Sequence, residues 1–384
     1  METNDKDIHP TIRKFIPIAQ HMLDTRRNPQ VEITAHLHER CNLSCSFCFC
    51  DVKEDLSKAF INCEKIAKVK NVMDKSKTLG TQLVIHYMGG EIFDPDIFDE
   101  QKVDDYVNMV KELDEYGKSI GFTEIDHNFV SNLVIDLKPV FSLLERVRDL
   151  GIQISIGTSY DAKGRFNKAT KAIWLDNIKA LKEYGEKVDI SMLFTKPFIK
   201  ELLAEKDPTF KQLYNEGYRI YIDYYTPTTG YGASQALLQA NMPSDLDLLK
   251  AFVYLIDNYP SVSPINDFIT KQGFLSCRRS ELTTPDSDWC KCGNLHLADP
   301  IVIFYKSKIK PNDNREIETR FMLERDCLTC EHFSYCQMGC FMQHDFSKRT
   351  QLKDCLFKLA YDYAQNRKPI DFDKLETFFG VKEI

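Results

Sequence analysis

The sequence predicts an α/β protein built around a parallel sheet. Three observations carry this. Short β-rich runs alternate with longer helical stripes from about Val31 to about Tyr225. The unit recurs six times, and repeated β–α units fold right-handed onto a parallel sheet, either doubly wound or curled into a barrel. Cysteines, paired glycines and short polar segments follow directly after the runs, where such sheets gather their active sites.

The strands are read from period-two alternation and β-branched residues. They are Val31 to Leu37, Leu83 to Tyr87, Thr123 to Val130, Ile152 to Ile156, Val188 to Phe194 and Tyr218 to Ile222. The helices between them are read from apolar stripes at 3.6-residue spacing. One stripe is Val103, Tyr106, Val107, Val110 and Leu113, ending near Gly117. A second is Val140, Leu143, Leu144 and Val147, with Pro139 near its start and Gly151 after its end. A third is Ile173, Trp174, Ile178 and Leu181, followed by Gly185; a fourth is Phe210, Leu213 and Tyr214, followed by Gly217. Core packing on the sheet is the reading for every residue in these stripes.

Beyond Tyr225 the pattern changes. Residues 226–232 read as a loop. Ser244-Asp245-Leu246-Asp247 has the look of a helix N-terminus, ahead of Leu246, Leu249, Phe252, Val253 and Ile256. From about Gly273 to Cys355 the chain is cysteine-rich and short of long periodic segments, as regions folded around metals are. The domains expected are an extension (1–30), a barrel (31–235), a helical linker (236–270), a cysteine-rich unit (271–360) and a tail (361–384).

With 50 basic and 57 acidic residues the net charge is −7, and no basic block marks a nucleic-acid partner. The amino end is polar and acidic, without the apolar run of a signal peptide. No run of 18 apolar residues suggests a membrane span. Thirteen cysteines in a chain that reads as cytoplasmic point to metal binding or redox chemistry rather than disulfides.

Cys41, Cys45 and Cys48 stand in a C-x3-C-x2-C run just after the first strand. Cysteines at this spacing also share one face of a helix, so a buried cysteine stripe is the alternative. Asn42, Ser44 and Ser46 favour a loop instead. Three thiolates in a compact loop can cradle a four-iron cluster with one iron left open. Gly89-Gly90-Glu91 follows the second strand; paired glycines let a ligand near the backbone, and a carboxylate can bind an ammonium group. A plain strand-to-helix turn is the alternative. Far downstream lie Cys327, Cys330, Cys336, Cys340 and Cys355, a spacing that also suits zinc.

Together these segments resemble the radical S-adenosylmethionine (radical SAM) superfamily, over about Val31 to Cys355. The C-x3-C-x2-C run carries an aromatic, Phe47, before its last cysteine, and a Gly-Gly-Glu segment follows strand two. The resemblance implies a partial (β/α)6 TIM-like barrel. It implies a 4Fe-4S cluster on Cys41, Cys45 and Cys48 whose open iron chelates S-adenosyl-L-methionine. One electron then splits the sulfonium, and a 5′-deoxyadenosyl radical takes hydrogen from a substrate. Gly89, Gly90 and Glu91 are implied at the methionyl amine, and Phe47 near the adenine. Asn132 looks like a ribose contact, Ser159 and Arg165 like carboxylate or ribose contacts; turn or capping roles are the alternative.

The downstream set is similar to the SPASM domain, which carries two auxiliary clusters. By that resemblance Cys327, Cys330, Cys336 and Cys355 would ligate one. Cys340 would join Cys277, Cys290 and Cys292 on the other. The family's usual upstream cysteine, expected around residues 303–306, is missing here. Cys50 and Cys63 stay unassigned, as packing or incidental thiols.

The resemblance implies an oxidoreductase acting on a peptide or protein side chain, by crosslinking, epimerisation or oxidation. Anaerobic sulfatase maturation and sugar or aminocyclitol dehydrogenation are alternatives within enzymes, and an iron–sulfur or zinc binding module is the alternative outside them. About 30 residues precede the first strand, too few for a peptide-leader-binding domain, so a separate leader-binding protein is expected. A reductase, flavodoxin or ferredoxin would supply electrons. Asp223, with Tyr224 and Tyr225, ends strand six and can touch substrate or move a proton; an ordinary strand end is the alternative.

Overall fold

Six parallel strands follow one another across a single sheet in sequence order. They are β1 (Gln30–His36), β2 (Gln82–Met88), β3 (Glu124–Val130), β4 (Gln153–Tyr160), β5 (Asp189–Phe194) and β6 (Arg219–Tyr224). The structure, a computed structural model, describes residues 30–48, 53–78, 80–161, 163–225, 240–272, 280–284, 287–290, 327–336 and 355–379. Two strands not expected from sequence extend the sheet: β7 (Ser280–Thr284) pairs parallel with β1, and β8 (Ser287–Cys290) pairs antiparallel with β7. The sheet curls into a partial barrel, with β6 and β8 at its ends.

One helix, or two, covers the outside between successive strands. α1 (Leu56–Ala59) and α2 (Cys63–Ser76) link β1 to β2; α3 (Val103–Ser119) links β2 to β3. α4 (Lys138–Asp149) and α5 (Lys168–Glu183) make the next two crossovers, and α6 (Lys196–Leu203) with α7 (Pro208–Asn215) the last. α8 (Asp245–Asn258) and α9 (Ile265–Thr270) then pack with α10 (Leu356–Asn366); α11 (Phe372–Phe379) follows. The expected start of α8 is explicit: the Ser244 hydroxyl accepts from Asp247 N at 3.0 Å, and Asp247 returns the bond to Ser244 N at 2.9 Å.

Strand alternation separates two faces. Val31, Ile33 and Ala35 of β1 and Leu83, Ile85 and Tyr87 of β2 are buried on the helix side, with Val69, Val72, Val107 and Val110. Each such apolar side chain contributes about 1.5–3 kcal/mol, so the outer layer carries the fold. The other face is polar. Thr34, His86, Asn128 and Ser155 stand in one register row across four strands. His86 Nδ1 lies 3.1 Å from Asn128 Oδ1, and Asn128 Nδ2 donates to Ser155 Oγ at 2.9 Å. The barrel lumen can therefore face water or a polar ligand without weakening the core.

Two expectations need correction. Gly117 does not end α3, which runs on to Ser119. A Cβ there would lie 2.5 Å from Ile125 Cδ1 and 2.8 Å from Met73 Cε, so the glycine lets α3 press against strand and neighbour helix. Ile173, placed in a core stripe, is 44% exposed; Trp174 beside it is fully buried, with Nε1 donating to Thr158 Oγ1 at 3.0 Å. The stripe is narrower than hydrophobicity alone suggests. No helix among the described residues is long and apolar enough to cross a membrane.

Candidate functional site

The carboxyl ends of the six strands define one rim, and the sequence-predicted residues gather there. Residues 41–48 follow β1 as a loop with a turn at Ser46–Phe47, so the helical alternative for the cysteines is not what folds. Cys48 N donates to Cys45 O at 3.1 Å and Leu43 N to Cys41 Sγ at 3.4 Å. Ser46 N reaches Gly164 O at 2.9 Å, tying this loop to the one after β4.

Parallel pairing between the first two strands continues into the rim. Leu37 N donates to Met88 O at 2.9 Å, Gly90 N to His38 O at 2.9 Å and Glu91 N to Arg40 O at 2.8 Å. The chains run so close that a Cβ on Gly89 would lie 2.2 Å from His38 O, and one on Gly90 2.1 Å from Arg40 O. The glycines thus admit the protein's own backbone, the segment leading into Cys41.

Glu91 is fully buried, and its carboxylate is bracketed by the protein. Oε1 accepts from Ser131 Oγ at 2.7 Å and Phe93 N at 3.0 Å; Oε2 accepts from Asn132 N at 2.5 Å. Burial nevertheless pushes its pKa up to about 7, against the pull of those donors. Asn132 continues the chain of contacts: its Nδ2 lies 2.8 Å from Asn42 Oδ1 and 3.6 Å from Cys41 Sγ. Leu133, next along, holds a left-handed backbone at φ 55° while fully buried, a strained state that persists only where surroundings enforce it. Asn177 Nδ2 supplies part of that enforcement, donating to Leu133 O at 3.0 Å and Ile135 O at 2.8 Å.

Over the cysteine loop, the Arg165 guanidinium lies 5.4 Å from the Phe47 ring centroid. It forms no ion pair among the described residues, and its Nε is buried without a hydrogen-bond partner. Its charge reaches Cys45, Asp161 and Asp223, lowering each pKa against the rise that burial imposes. Phe47 also packs, with Leu193, against the buried pair Tyr225 and Met242. Asp223 lies opposite Leu193 in register and is open to water, and desolvation pushes its pKa up to about 6. Ser159 occupies the same inner face of β4, opposite Ser191.

The three thiols suit a multi-iron centre. None is in a disulfide, and all are half-buried. Burial, Glu91 and the other two thiols push Cys41 up to about 12, so the thiols oppose one another's ionisation and a bound cation would favour the thiolates. They do not converge as closely as a single ion requires; among the described residues, one trio of metal-competent side chains lies within 4.8 Å, namely Glu331, His332 and Asp362. That trio is already engaged internally: His332 Nε2 lies 2.8 Å from Asp362 Oδ1 and Nδ1 2.6 Å from Tyr335 OH.

Of the downstream set, Cys327, Cys330 and Cys336 share one short segment, where Cys330 N donates to Cys327 O at 3.0 Å. Cys355 caps the start of α10, and the His332–Asp362 contact joins that helix to the segment. None of these four is in a disulfide. Cys290 ends β8. Cys277, Cys292, Cys340 and Cys50 lie outside the described residues. Cys63 is exposed at the first turn of α2, away from any core. Sequence reasoning missed Asn42 as a site residue, because its partners Val134 and Asn132 are 92 and 90 residues away.

No family model matches the chain, and no curated protein matches it. Solved structures do. The native structure of anSMEcpe, an anaerobic sulfatase maturase, with bound AdoMet and Cp18Cys peptide, is 15% identical with a TM-score of 0.59, covering 92% of this chain and 99% of that one. A polyhistidine-tagged form with bound AdoMet is 12% identical with a TM-score of 0.57, covering 87% and 95%. Streptococcus suis SuiB bound to precursor peptide SuiA is 15% identical with a TM-score of 0.48, covering 89% and 77%. With its open parallel sheet, polar lumen and cysteine loop after β1, the chain has the partial-barrel fold of the radical SAM enzymes.

Proposed function

We propose that the chain is a radical SAM enzyme acting on a peptide or protein side chain. The carrying observation is the loop of Cys41, Cys45 and Cys48 on the rim, next to the Gly89–Gly90 backbone and with the Arg165 guanidinium against its Phe47. When bound, a 4Fe-4S cluster with S-adenosylmethionine supplies a carbon radical able to take hydrogen from an unactivated position. The chain's own residues do the rest. Cys41, Cys45 and Cys48 would hold such a cluster. Arg165 neutralises the methionyl carboxylate, and Phe47 offers an apolar face to the adenine. Gly89 and Gly90 keep the neighbouring backbone narrow enough for the ligand, and Ser159 lines the same wall. Asp223 takes a proton from the substrate in the lumen.

Cys327, Cys330, Cys336 and Cys355 are assigned to one auxiliary cluster, and Cys340 with Cys277, Cys290 and Cys292 to a second. The likeness to anSMEcpe, whose structure holds a peptide, supports a peptide substrate here. It also favours a second reading, oxidation of a serine or cysteine side chain. An anaerobic assay tests the proposal: reconstitute with iron and sulfide, reduce, add S-adenosylmethionine and measure 5′-deoxyadenosine. A fully loaded protein that releases none sinks the enzyme reading and leaves an iron–sulfur binding module. Peptide turnover is then read by mass, a loss of two hydrogens marking oxidation or crosslinking.

A further inference from the structure

We propose that Asn132 is a positioning residue for Cys41, donating its side-chain amide to the sulfur and pinning the cysteine loop through Asn42. This rests on the radical SAM reading of the site. The amide sits 5% exposed at the end of β3. Its Nδ2 carries two hydrogens, and two acceptors stand in front of it: Asn42 Oδ1 at 2.8 Å and Cys41 Sγ at 3.6 Å. Its Oδ1 accepts from Val134 N at 2.8 Å, and Asn42 Nδ2 returns to Val134 O at 2.7 Å. The two amides and the main-chain N–H and C=O of Val134 form a closed ring of bonds between the β1 and β3 loops. Glu91 holds the far side through Asn132 N at 2.5 Å.

A hydrogen bond to a cluster sulfur stabilises the more negative, reduced state and so raises the potential. Removing it lowers the potential and frees the loop. Two readouts separate these effects. In the iron-free chain, alkylation mapped by mass spectrometry measures how far Cys41 is held. In Asn132→Ala its rate rises about fivefold, the factor set by one hydrogen bond of ordinary net strength, while Cys45 stays near its wild-type rate. In the reconstituted chain, potentiometric titration of the cluster signal lost in Cys41→Ala shifts down about fivefold in the redox equilibrium, or about 40 mV at roughly 59 mV per tenfold. Asn132→Asp keeps the shape and the Val134 bond but donates nothing and adds a negative charge, so its shift is larger. Unchanged Cys41 labelling and potential in both variants overturns the proposal. A chain that assembles no cluster on these thiols overturns the functional reading instead, and the labelling experiment still decides whether Asn132 holds Cys41.

Discussion

Gly90 lies so close to Arg40 that a Cβ would sit 2.1 Å from the Arg40 carbonyl oxygen and 2.4 Å from its carbon. Both obstacles are backbone and cannot rotate away. Gly90→Ala therefore pushes apart the segments that Glu91 N and Arg40 O join. The cost is about 1–3 kcal/mol, as for other overpacked sites. Chemical denaturation measures it, and iron content after reconstitution falls because the displaced segment leads into Cys41. Full stability and full iron loading in this variant contradict the close-approach argument.

Glu91 titrates with a definite sign. Its ordinary value is 4.5, and in the fold it is pushed up to about 7, chiefly by burial. The folded chain thus holds this proton more tightly than the unfolded chain. The stabilisation is complete below about pH 4.5 and is lost as pH rises through about 7, a change of about 3 kcal/mol. Glu91→Gln cannot titrate. The stability of wild type relative to this variant shrinks between pH 5 and pH 8, as denaturant unfolding at each pH measures. A difference that stays level across that range removes the titration argument.

The same buried carboxylate shows where sequence legibility stops. Six strands and their order were readable because both periods, two and 3.6, leave a local trace. So was the rim, since parallel strands put their carboxyl ends together. Gly90 was readable as a glycine that permits close approach, but the approaching group is the Arg40 backbone, which no local pattern names. Glu91 faces Ser131 and Asn132 across 40 and 41 residues. Asn42 meets Val134 across 92. β7 carries no clear alternation in Ser280–Thr284, and it becomes a strand because the edge of β1 is free to pair. The tertiary pairing, not propensity, decides it.

Replacing Cys41, Cys45 and Cys48 together by Ala removes a complete ligand set while leaving the downstream thiols intact. The proposed three four-iron clusters predict about twelve irons per chain for the wild type and about eight for the triple variant. Release of 5′-deoxyadenosine stops. Iron and sulfide analysis with an anaerobic cleavage assay reads both quantities. One or two zinc ions in place of iron, unchanged by the triple variant, point to a structural metal protein.

Asp223 is the proposed proton acceptor of the lumen. It lies on β6 across from Leu193, open to water, and desolvation pushes its pKa up to about 6 against the pull of Ser191 and Arg165. A base works deprotonated, so product formation rises with pH through about 6 and levels above it. Asp223→Asn removes the proton acceptor but not the cluster or Arg165. Peptide product falls by a factor of about 10² to 10⁴, the range for loss of a general base. Cleavage of S-adenosylmethionine without peptide stays near wild type, because that reaction needs no base in the lumen. Parallel assays of 5′-deoxyadenosine and modified peptide, from pH 5 to pH 8, separate the two. Equal loss of both activities in Asp223→Asn assigns the residue to holding the site together rather than to taking the proton.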